Sequence, residues 1–301
     1  MGQRIQSLLF TAFTLLFTGA LTAADPEILK LWPNGVPGGI GEMGAEADTT
    51  TPKEGLVAGK RVIRLGNVSE PTMTIFRPSQ QTGAGSAVLV FPGGGYRILA
   101  MDLEGTEVCE WLKSLGITAV LVKYRVPAGK TSPRQKAPLQ DAQRALGLVR
   151  FHAKEWHIDP DRIGVAGFSA GGHLAAALSN NFDQRTYDVT DESDRVSCRP
   201  DFALLIYPAY LTVKDEGDKI APDLPVSART PPSFLVQAED DGVRVENSLF
   251  YYLALKNAKV PAEMHLYSHG GHGYGLRATE ATVTSWPKAA EVWLRSSGFI
   301  R

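Results

Sequence analysis

Residues 162–180 read RIGVAGFSAGGHLAAALSN, and this stretch is the strongest indication of the fold class. Its first five residues are typical of a buried strand, and the alanine-rich residues from 170 onward are typical of a helix. Between them, residues 167–171 form the pattern G-x-S-x-G. A strand-to-helix turn this tight strains the backbone of Ser169 and requires small residues at Gly167 and Gly171. The context predicts Ser169 as a nucleophile; the alternative is an ordinary glycine-rich turn.

Strands and helices alternate on both sides of this turn. Strands are predicted at residues 87–91, 117–124, 202–207, 234–238 and 262–267, and helices at 104–115, 139–156, 245–258 and 284–297. Such alternation predicts an α/β fold with a mostly parallel central sheet and helices on both faces. Two shorter β-like runs, 61–68 and 72–77, are expected to pair with each other in antiparallel fashion. The polar or proline-rich stretches 181–199 and 211–232 are candidates for loops that shape a substrate site.

A glycine run follows the strand predicted at 87–91, where residues 91–96 read FPGGGY. Glycines let backbone amides approach a substrate without side-chain obstruction. We expect the N–H groups of Gly94 and Gly95, together with that of Ala170, to stabilise the charge that acyl transfer builds on a carbonyl oxygen. The alternatives are a flexible loop or a phosphate-binding turn. The run lacks both the G-x-G-x-x-G spacing and the Lys-Ser/Thr pair of a P-loop.

A serine nucleophile needs an imidazole to accept its proton, and the sequence has six histidines. His272 is predicted as the base because it lies between two glycines in HGGHGYG, residues 269–275, after the last predicted strand. From such a loop it can reach back over the sheet. The alternative is a metal site at His269 and His272. No Asp, Glu or Cys lies close by in the sequence, so we predict no metal. His173, one turn beyond the serine, is expected to pack or to support the site.

The carboxylate that orients the histidine is expected after a late strand and before His272. The strand predicted at 234–238 is followed by EDDG at residues 239–242. Periodicity cannot choose among three adjacent acids, and either Asp241 or Asp240 is expected to hold the imidazole and stabilise its protonated form. The residue order is then serine, aspartate, histidine.

These segments together resemble the α/β-hydrolase superfamily, whose triad has the same order. Residues 167–174, GFSAGGHL, resemble its nucleophile elbow. Residues 92–96, PGGGY, resemble the His-Gly-Gly-Gly oxyanion loop of hormone-sensitive-lipase-like esterases, with proline in place of the histidine. Residues 241–246, DGVRVE, are similar to the Asp-Pro-Leu-Arg-Asp-Glu segment of those enzymes, whose first residue is the triad acid. The resemblance therefore favours Asp241 over Asp240.

A closer resemblance is to bacterial acetylxylan and feruloyl esterases, and it covers nearly the whole chain after residue 24. It is carried by residues 31–38 (LWPNGVPG), 137–145 (APLQDAQRA), 159–164 (DPDRIG) and 270–276 (GGHGYGL). The resemblance implies structural roles for Asp141 and Asp159. It also implies a serine carboxylesterase that removes acetyl or feruloyl groups from a polysaccharide such as xylan, or acts on small esters, without a cofactor.

Two other functions stay open at this point. A peptidase of the prolyl-oligopeptidase type shares the fold and the triad order but normally carries an extra N-terminal domain, for which residues 25–59 are too short. A catalytically inactive hydrolase fold used for binding is the non-enzymatic alternative. Tyr96, Tyr210 and Tyr274 are candidates to stack on sugar or feruloyl rings, and packing is their alternative role.

Composition limits the partners. The chain has 301 residues with 31 Lys and Arg against 32 Asp and Glu, so a formal net charge of −1 leaves no basic surplus for binding nucleic acid. Two cysteines, Cys109 and Cys198, are too few for a disulfide framework and are expected to be separate buried thiols. The oligomeric state stays open.

The N-terminus predicts export. Arg4 is followed by a short apolar run and by small residues before Asp25, the order of a secretory signal peptide at residues 1–24. The run is too short and too interrupted by threonine and glycine for a stable membrane span. Residues 25–59 are then expected to form an irregular arm, and residues 60–301 the catalytic domain.

Overall fold

A sheet of eight strands organises the computed structural model, which describes residues 26–39, 43–78, 85–128 and 135–300. Within those residues the strands are β1 (Glu27–Lys30), β2 (Thr72–Phe76), β3 (Ala87–Phe91), β4 (Thr118–Lys123), β5 (Ile163–Phe168), β6 (Ala203–Ile206), β7 (Ser233–Ala238) and β8 (Ala262–Tyr267). Their order across the sheet is β1-β2-β4-β3-β5-β6-β7-β8. Among these strands, β2 runs in the opposite direction to the other seven, so it pairs antiparallel with both β1 and β4 and the remaining pairs are parallel. The predicted mostly parallel sheet is confirmed.

Helices cover both faces of the sheet, as predicted. They are α1 (Glu107–Ser114), α2 (Lys136–Phe151), α3 (Ala170–Asn180), α4 (Glu246–Asn257) and α5 (Trp286–Ser296). Side chains alternate along a strand, so Val88 and Val90 of β3 pack in the layer with α1 and α5, whereas Leu89 and Phe91 pack in the layer with α2, α3 and α4. Because β3 is buried on both faces, it is apolar throughout rather than alternating.

One predicted strand pairing is wrong: residues 61–68 and 72–77 do not pair with each other. A separate antiparallel sheet of three short strands holds Arg64–Gly66 between Ala47–Asp48 and Ile98–Ala100. The second run is β2, which lies between β1 and β4. Asn67 has a left-handed backbone with φ 56°, so the chain turns near the end of the first run. Two neighbouring β-like runs cannot show which distant strand each of them joins.

The described part of the arm at residues 25–59 is more regular than expected, because it supplies β1. That strand lies at the sheet edge with mostly exposed side chains, so no apolar alternation marks it. Trp32 beyond it is buried, and its Nε1 donates to Asp141 Oδ1 at 2.7 Å. Arg125 Nε donates to both Asp141 oxygens at 3.0 Å, and its Nη1 donates to the carbonyl of Pro37 at 2.9 Å. Asp141 therefore ties the arm to α2.

The two polar insertions have different neighbours. In the stretch 181–199, Asp191 and Asp194 pair with Arg144 of α2 at 2.5 and 3.0 Å. The stretch 211–232 begins with a small hairpin, in which Thr212–Val213 pairs with Lys219–Ile220. That second stretch carries Asp223, which lies beside the candidate site.

Cys109 and Cys198 are both buried free thiols, as expected. The signal peptide predicted at residues 1–24 lies outside the described residues. In the part of the chain that the structure describes, no helix combines the length and apolar character needed to cross a membrane.

Candidate active site

Ser169 lies between β5 and α3 with φ 52° and ψ −117°, a backbone conformation that side-chain-bearing residues rarely adopt. The turn holds it there: its N–H donates to the carbonyl of Ile206, and its own carbonyl accepts from the N–H of Ala209, each at 3.0 Å. A Cβ on Gly167 would lie 2.1 Å from the Gly171 carbonyl oxygen, and one on Gly171 would lie 2.0 Å from that of Phe91. The predicted requirement for glycine at both positions is confirmed.

The loops after β5, β7 and β8 bring Ser169, Asp241 and His272 together. His272 Nε2 lies 2.8 Å from Ser169 Oγ, and His272 Nδ1 lies 2.9 Å from Asp241 Oδ2. A carboxylate can only accept, so Nδ1–H donates to Asp241 and leaves Nε2 to accept the serine hydroxyl proton. The arrangement can therefore deprotonate the serine as its oxygen attacks.

The neighbouring acids have different partners, which the sequence could not show. Asp241 is buried, and its Oδ1 accepts from the N–H of Val243 at 2.7 Å while its Oδ2 faces the imidazole. Asp240 Oδ1 instead accepts the N–H groups of Gly270 and Gly271, at 3.0 and 2.8 Å. Those backbone amides hold the pKa of Asp240 below its ordinary value. Asp240 therefore shapes the loop that carries the histidine, and Asp241 contacts the histidine itself.

His269 does not join His272. It is largely exposed and lies 3.6 Å from Asp240. Across the described ranges, no group of three or more His, Cys, Asp or Glu side chains is placed to hold a metal ion.

The glycine turn after β3 supplies backbone donors beside the serine. Gly94 and Gly95 have φ values of 135° and 63°, and a Cβ on the preceding Gly93 would lie 2.8 Å from Ser169 Cβ. Within the described residues, the N–H groups of Gly94, Gly95 and Ala170 donate to no protein acceptor. Ala170 is the first residue of α3, where helical N–H groups have no partner in the helix. All three predicted donors are therefore available to a substrate oxygen.

A polar chain that the sequence analysis did not identify lies behind this turn. The hydroxyl of Tyr96 is 2.8 Å from His173 Nδ1, and His173 Nε2 is 3.1 Å from Asp223 Oδ2. His173 thus supports the site, one of the roles expected for it. Asp223 belongs to no recognisable motif and comes from a loop far along the chain, so no sequence signal pointed to it.

Only one of the three aromatic candidates for ring stacking is on the surface. Tyr96 and Tyr274 are buried packing residues, whereas Tyr210 is 45% exposed. Its ring stacks on that of Tyr96, with centroids 6.3 Å apart and 19° between planes. A Cβ on Gly95 would lie 3.8 Å from the Tyr210 hydroxyl, so this exposed ring borders the glycine turn.

The chain matches known proteins along most of its length. A family model described as an alpha/beta hydrolase fold matches residues 88–224. An acetylxylan esterase of Xylanibacter ruminicola is 32% identical over 230 residues, 73% of this chain and 47% of that protein. Endo-1,4-beta-xylanase B of Butyrivibrio fibrisolvens is 31% identical over 217 residues, 66% of this chain and 34% of that protein. This chain thus spans half or less of the length of these two curated relatives.

A solved structure matches over nearly the full length. The acetyl ester-xyloside bifunctional hydrolase from Caldicellulosiruptor lactoaceticus is 36% identical, with a TM-score of 0.73 over 94% of this chain and 100% of that one. Together with the serine turn and the strand order, these matches show that the chain belongs to the α/β-hydrolase family, alongside hydrolases of carboxylic esters.

Proposed function

We propose that this chain is a serine carboxylesterase with a Ser169–His272–Asp241 triad. The observation that carries the proposal is the continuous hydrogen-bonded chain from Asp241 through His272 to a serine held in a strained turn. The glycine turn passes close to that serine at Gly93, and the N–H groups of Gly94 and Gly95 have no protein acceptor among the described residues, which supports their proposed role as oxyanion donors. The relatives named above favour ester over peptide substrates.

The reaction proceeds in two steps. Ser169 Oγ attacks the ester carbonyl carbon while His272 Nε2 takes the hydroxyl proton, and the carbonyl oxygen becomes an oxyanion bound by the N–H groups of Gly94, Gly95 and Ala170. The tetrahedral intermediate collapses, and the leaving alcohol receives the proton from His272. Water then attacks the acyl-enzyme, again with His272 as base, and releases the carboxylic acid and Ser169.

Ser169→Ala should lower kcat for p-nitrophenyl acetate by at least about a thousandfold, because it removes the hydroxyl on which the acyl-enzyme forms. Release of p-nitrophenol measures the effect. Ser179→Ala is the matched control: Ser179 lies buried on α3, the helix that begins directly after Ser169, and its hydroxyl has no hydrogen-bond partner in the described structure. Activity retained in Ser169→Ala would exclude the proposed nucleophile.

Substitution of the two adjacent aspartates should have different effects on kcat. Asp241→Asn should lower kcat by about ten thousandfold, since an amide does not hold the imidazole in the required tautomer. Asp240→Asn should have a much smaller effect, because this residue acts only through the backbone of the histidine loop. Steady-state kinetics on p-nitrophenyl acetate compares the two isosteric changes. A larger loss of kcat in Asp240→Asn than in Asp241→Asn would show that Asp240 is the carboxylate that orients His272.

Acetyl groups on a polysaccharide such as xylan are the substrate that we favour, with feruloyl groups as a related possibility. The support comes from the acetylxylan esterase and the acetyl ester-xyloside hydrolase among the relatives. Tyr210 adds a physical reason for a sugar substrate, since it presents an exposed aromatic ring beside the glycine turn. Aromatic faces pack well against the apolar faces of sugar rings.

Tyr210→Ala should raise KM for acetylated xylan by about fivefold, the equivalent of the roughly 1 kcal/mol of an aromatic contact, and should leave KM for p-nitrophenyl acetate nearly unchanged. Tyr210→Phe keeps the ring and serves as the control. Acetate release measures the polysaccharide reaction. Equal effects on both substrates would argue against a sugar platform at this position.

Export by a signal peptide at residues 1–24 is part of the proposal, supported by the order of a positive residue, an apolar run and small residues. Mass spectrometry of the mature protein should find Asp25 at its N-terminus. An intact Met1 on the mature protein would contradict cleavage.

A further inference from the structure

Glu104 is a buried carboxyl group that the proposed mechanism does not use. It lies in the turn Asp102–Thr106 that precedes α1, and its side chain is almost fully excluded from solvent. Its Oε2 accepts the N–H of Gly93 at 2.6 Å, and its Oε1 accepts the hydroxyl of Tyr207 at 2.8 Å. A buried carboxyl is unfavourable unless its oxygens are hydrogen-bonded, and here both of them are.

The first of these hydrogen bonds reaches the glycine turn at residues 93–95, called the oxyanion turn from here on because its N–H groups bind the oxyanion in the proposed mechanism. Gly93 directly precedes Gly94 and Gly95, and a Cβ on Gly93 would lie 2.6 Å from Glu104 Oε2 and 2.8 Å from Ser169 Cβ. The Gly93 carbonyl is held as well, because it accepts the N–H of Ala100 at 3.0 Å. Glu104 thus contacts the turn at the point where it passes the serine.

The second bond reaches the histidine loop. The hydroxyl of Tyr207, which donates to Glu104, also accepts the N–H of Gly275 at 3.1 Å. The Tyr207 ring packs edge-on against the imidazole of His272, with centroids 5.0 Å apart. Tyr207 is itself anchored, since its N–H donates to the carbonyl of Val236 at 2.7 Å. The tyrosine therefore connects Glu104 to the loop that carries the base.

The two bonds favour the ionised carboxylate, because both carboxyl oxygens accept and neither needs a proton of its own. Burial raises the pKa of Glu104, while the hydrogen bonds from Tyr207 and Gly93 oppose that rise. Removing an oxygen would leave a buried donor unpaired on one side of the site or the other.

We propose that Glu104 is a positioning residue that holds the oxyanion turn and the His272 loop at a fixed separation on the two sides of Ser169. The role rests on the proposed function, since it requires the catalytic assignments of Ser169, His272 and the glycine amides. Glu104 does not touch the substrate. It acts through Gly93 on one side and through Tyr207 on the other.

The test compares Glu104→Gln, Tyr207→Phe and the double variant on p-nitrophenyl acetate. Active sites are counted with diethyl p-nitrophenyl phosphate, so that kcat refers to folded, reactive enzyme only. Each single variant should lower kcat per active site by about ten- to a hundredfold, as small displacements of reacting groups do, with KM changed much less. The kcat per active site of the double variant should be no lower than that of the less active single variant, because both residues belong to one chain of hydrogen bonds.

Glu110→Gln is the matched control. Glu110 lies on α1 close to Glu104 in sequence, but its side chain is exposed and pairs with Lys113. The kcat per active site of Glu110→Gln should equal that of the native protein. A loss in this control as large as that in Glu104→Gln would overturn the proposal, because general disturbance of α1 would then explain both.

Further results would overturn the positioning role without touching the proposed function. The first is a fall in the number of active sites or in Tm for Glu104→Gln with kcat per active site unchanged, which would show a purely structural carboxyl. The second is a loss of kcat per active site in the double variant that equals the product of the losses in the two single variants. Should Glu104→Gln fail to fold, Tyr207→Phe removes a single oxygen, and an unchanged kcat per site in that variant would overturn the role. Failure of the proposed function is separate: it shows as activity retained in Ser169→Ala.

Discussion

The strained backbone of Ser169 is the constraint on which the rest of the site depends. A positive φ at a residue with a side chain is unfavourable by about 1–3 kcal/mol, and surrounding structure must enforce it. Here β5 and α3 meet so closely that no side chain fits at Gly167 or Gly171. Hydrogen bonds to Ile206 and from Ala209 hold the turn from the neighbouring strand. The serine therefore holds this conformation only in the context of the assembled sheet.

Other parts of the site are then held by hydrogen bonds of polar groups rather than by apolar packing. Asp240 fixes the start of the histidine loop through two glycine amides, and Tyr207 fixes its far end through the amide of Gly275. His173 holds Tyr96 behind the oxyanion turn. Glycine-rich loops have few side chains to pack, so hydrogen bonds to their backbone are the available means of ordering them. The loops keep the open backbone that catalysis needs and still have defined positions.

Much of the fold followed from local sequence. Strand Ala87–Phe91 forms at its predicted bounds, because a parallel strand that is buried on both faces is a continuous apolar run between turn residues. The N-terminal region was less predictable. The edge strand Glu27–Lys30 exposes most of its side chains and has no apolar pattern, and Arg64–Gly66 joined a different sheet from the one expected. Edge strands are defined by their partners, and partners are set by tertiary packing.

The sequence by itself determined the serine turn, the glycine turn and the histidine between glycines, because each depends on steric limits that act within a few residues. It also determined the order of the candidate serine, aspartate and histidine along the chain. Residue patterns left Asp240 and Asp241 open, and only the family resemblance favoured Asp241. The tertiary structure shows that Asp241 faces His272, since neighbouring carboxylates differ only in where the backbone directs them. It alone brought Asp223 and Glu104 to the site and left Tyr210 exposed while burying Tyr96 and Tyr274. Those contacts join residues up to about a hundred positions apart, and no local pattern encodes such distances.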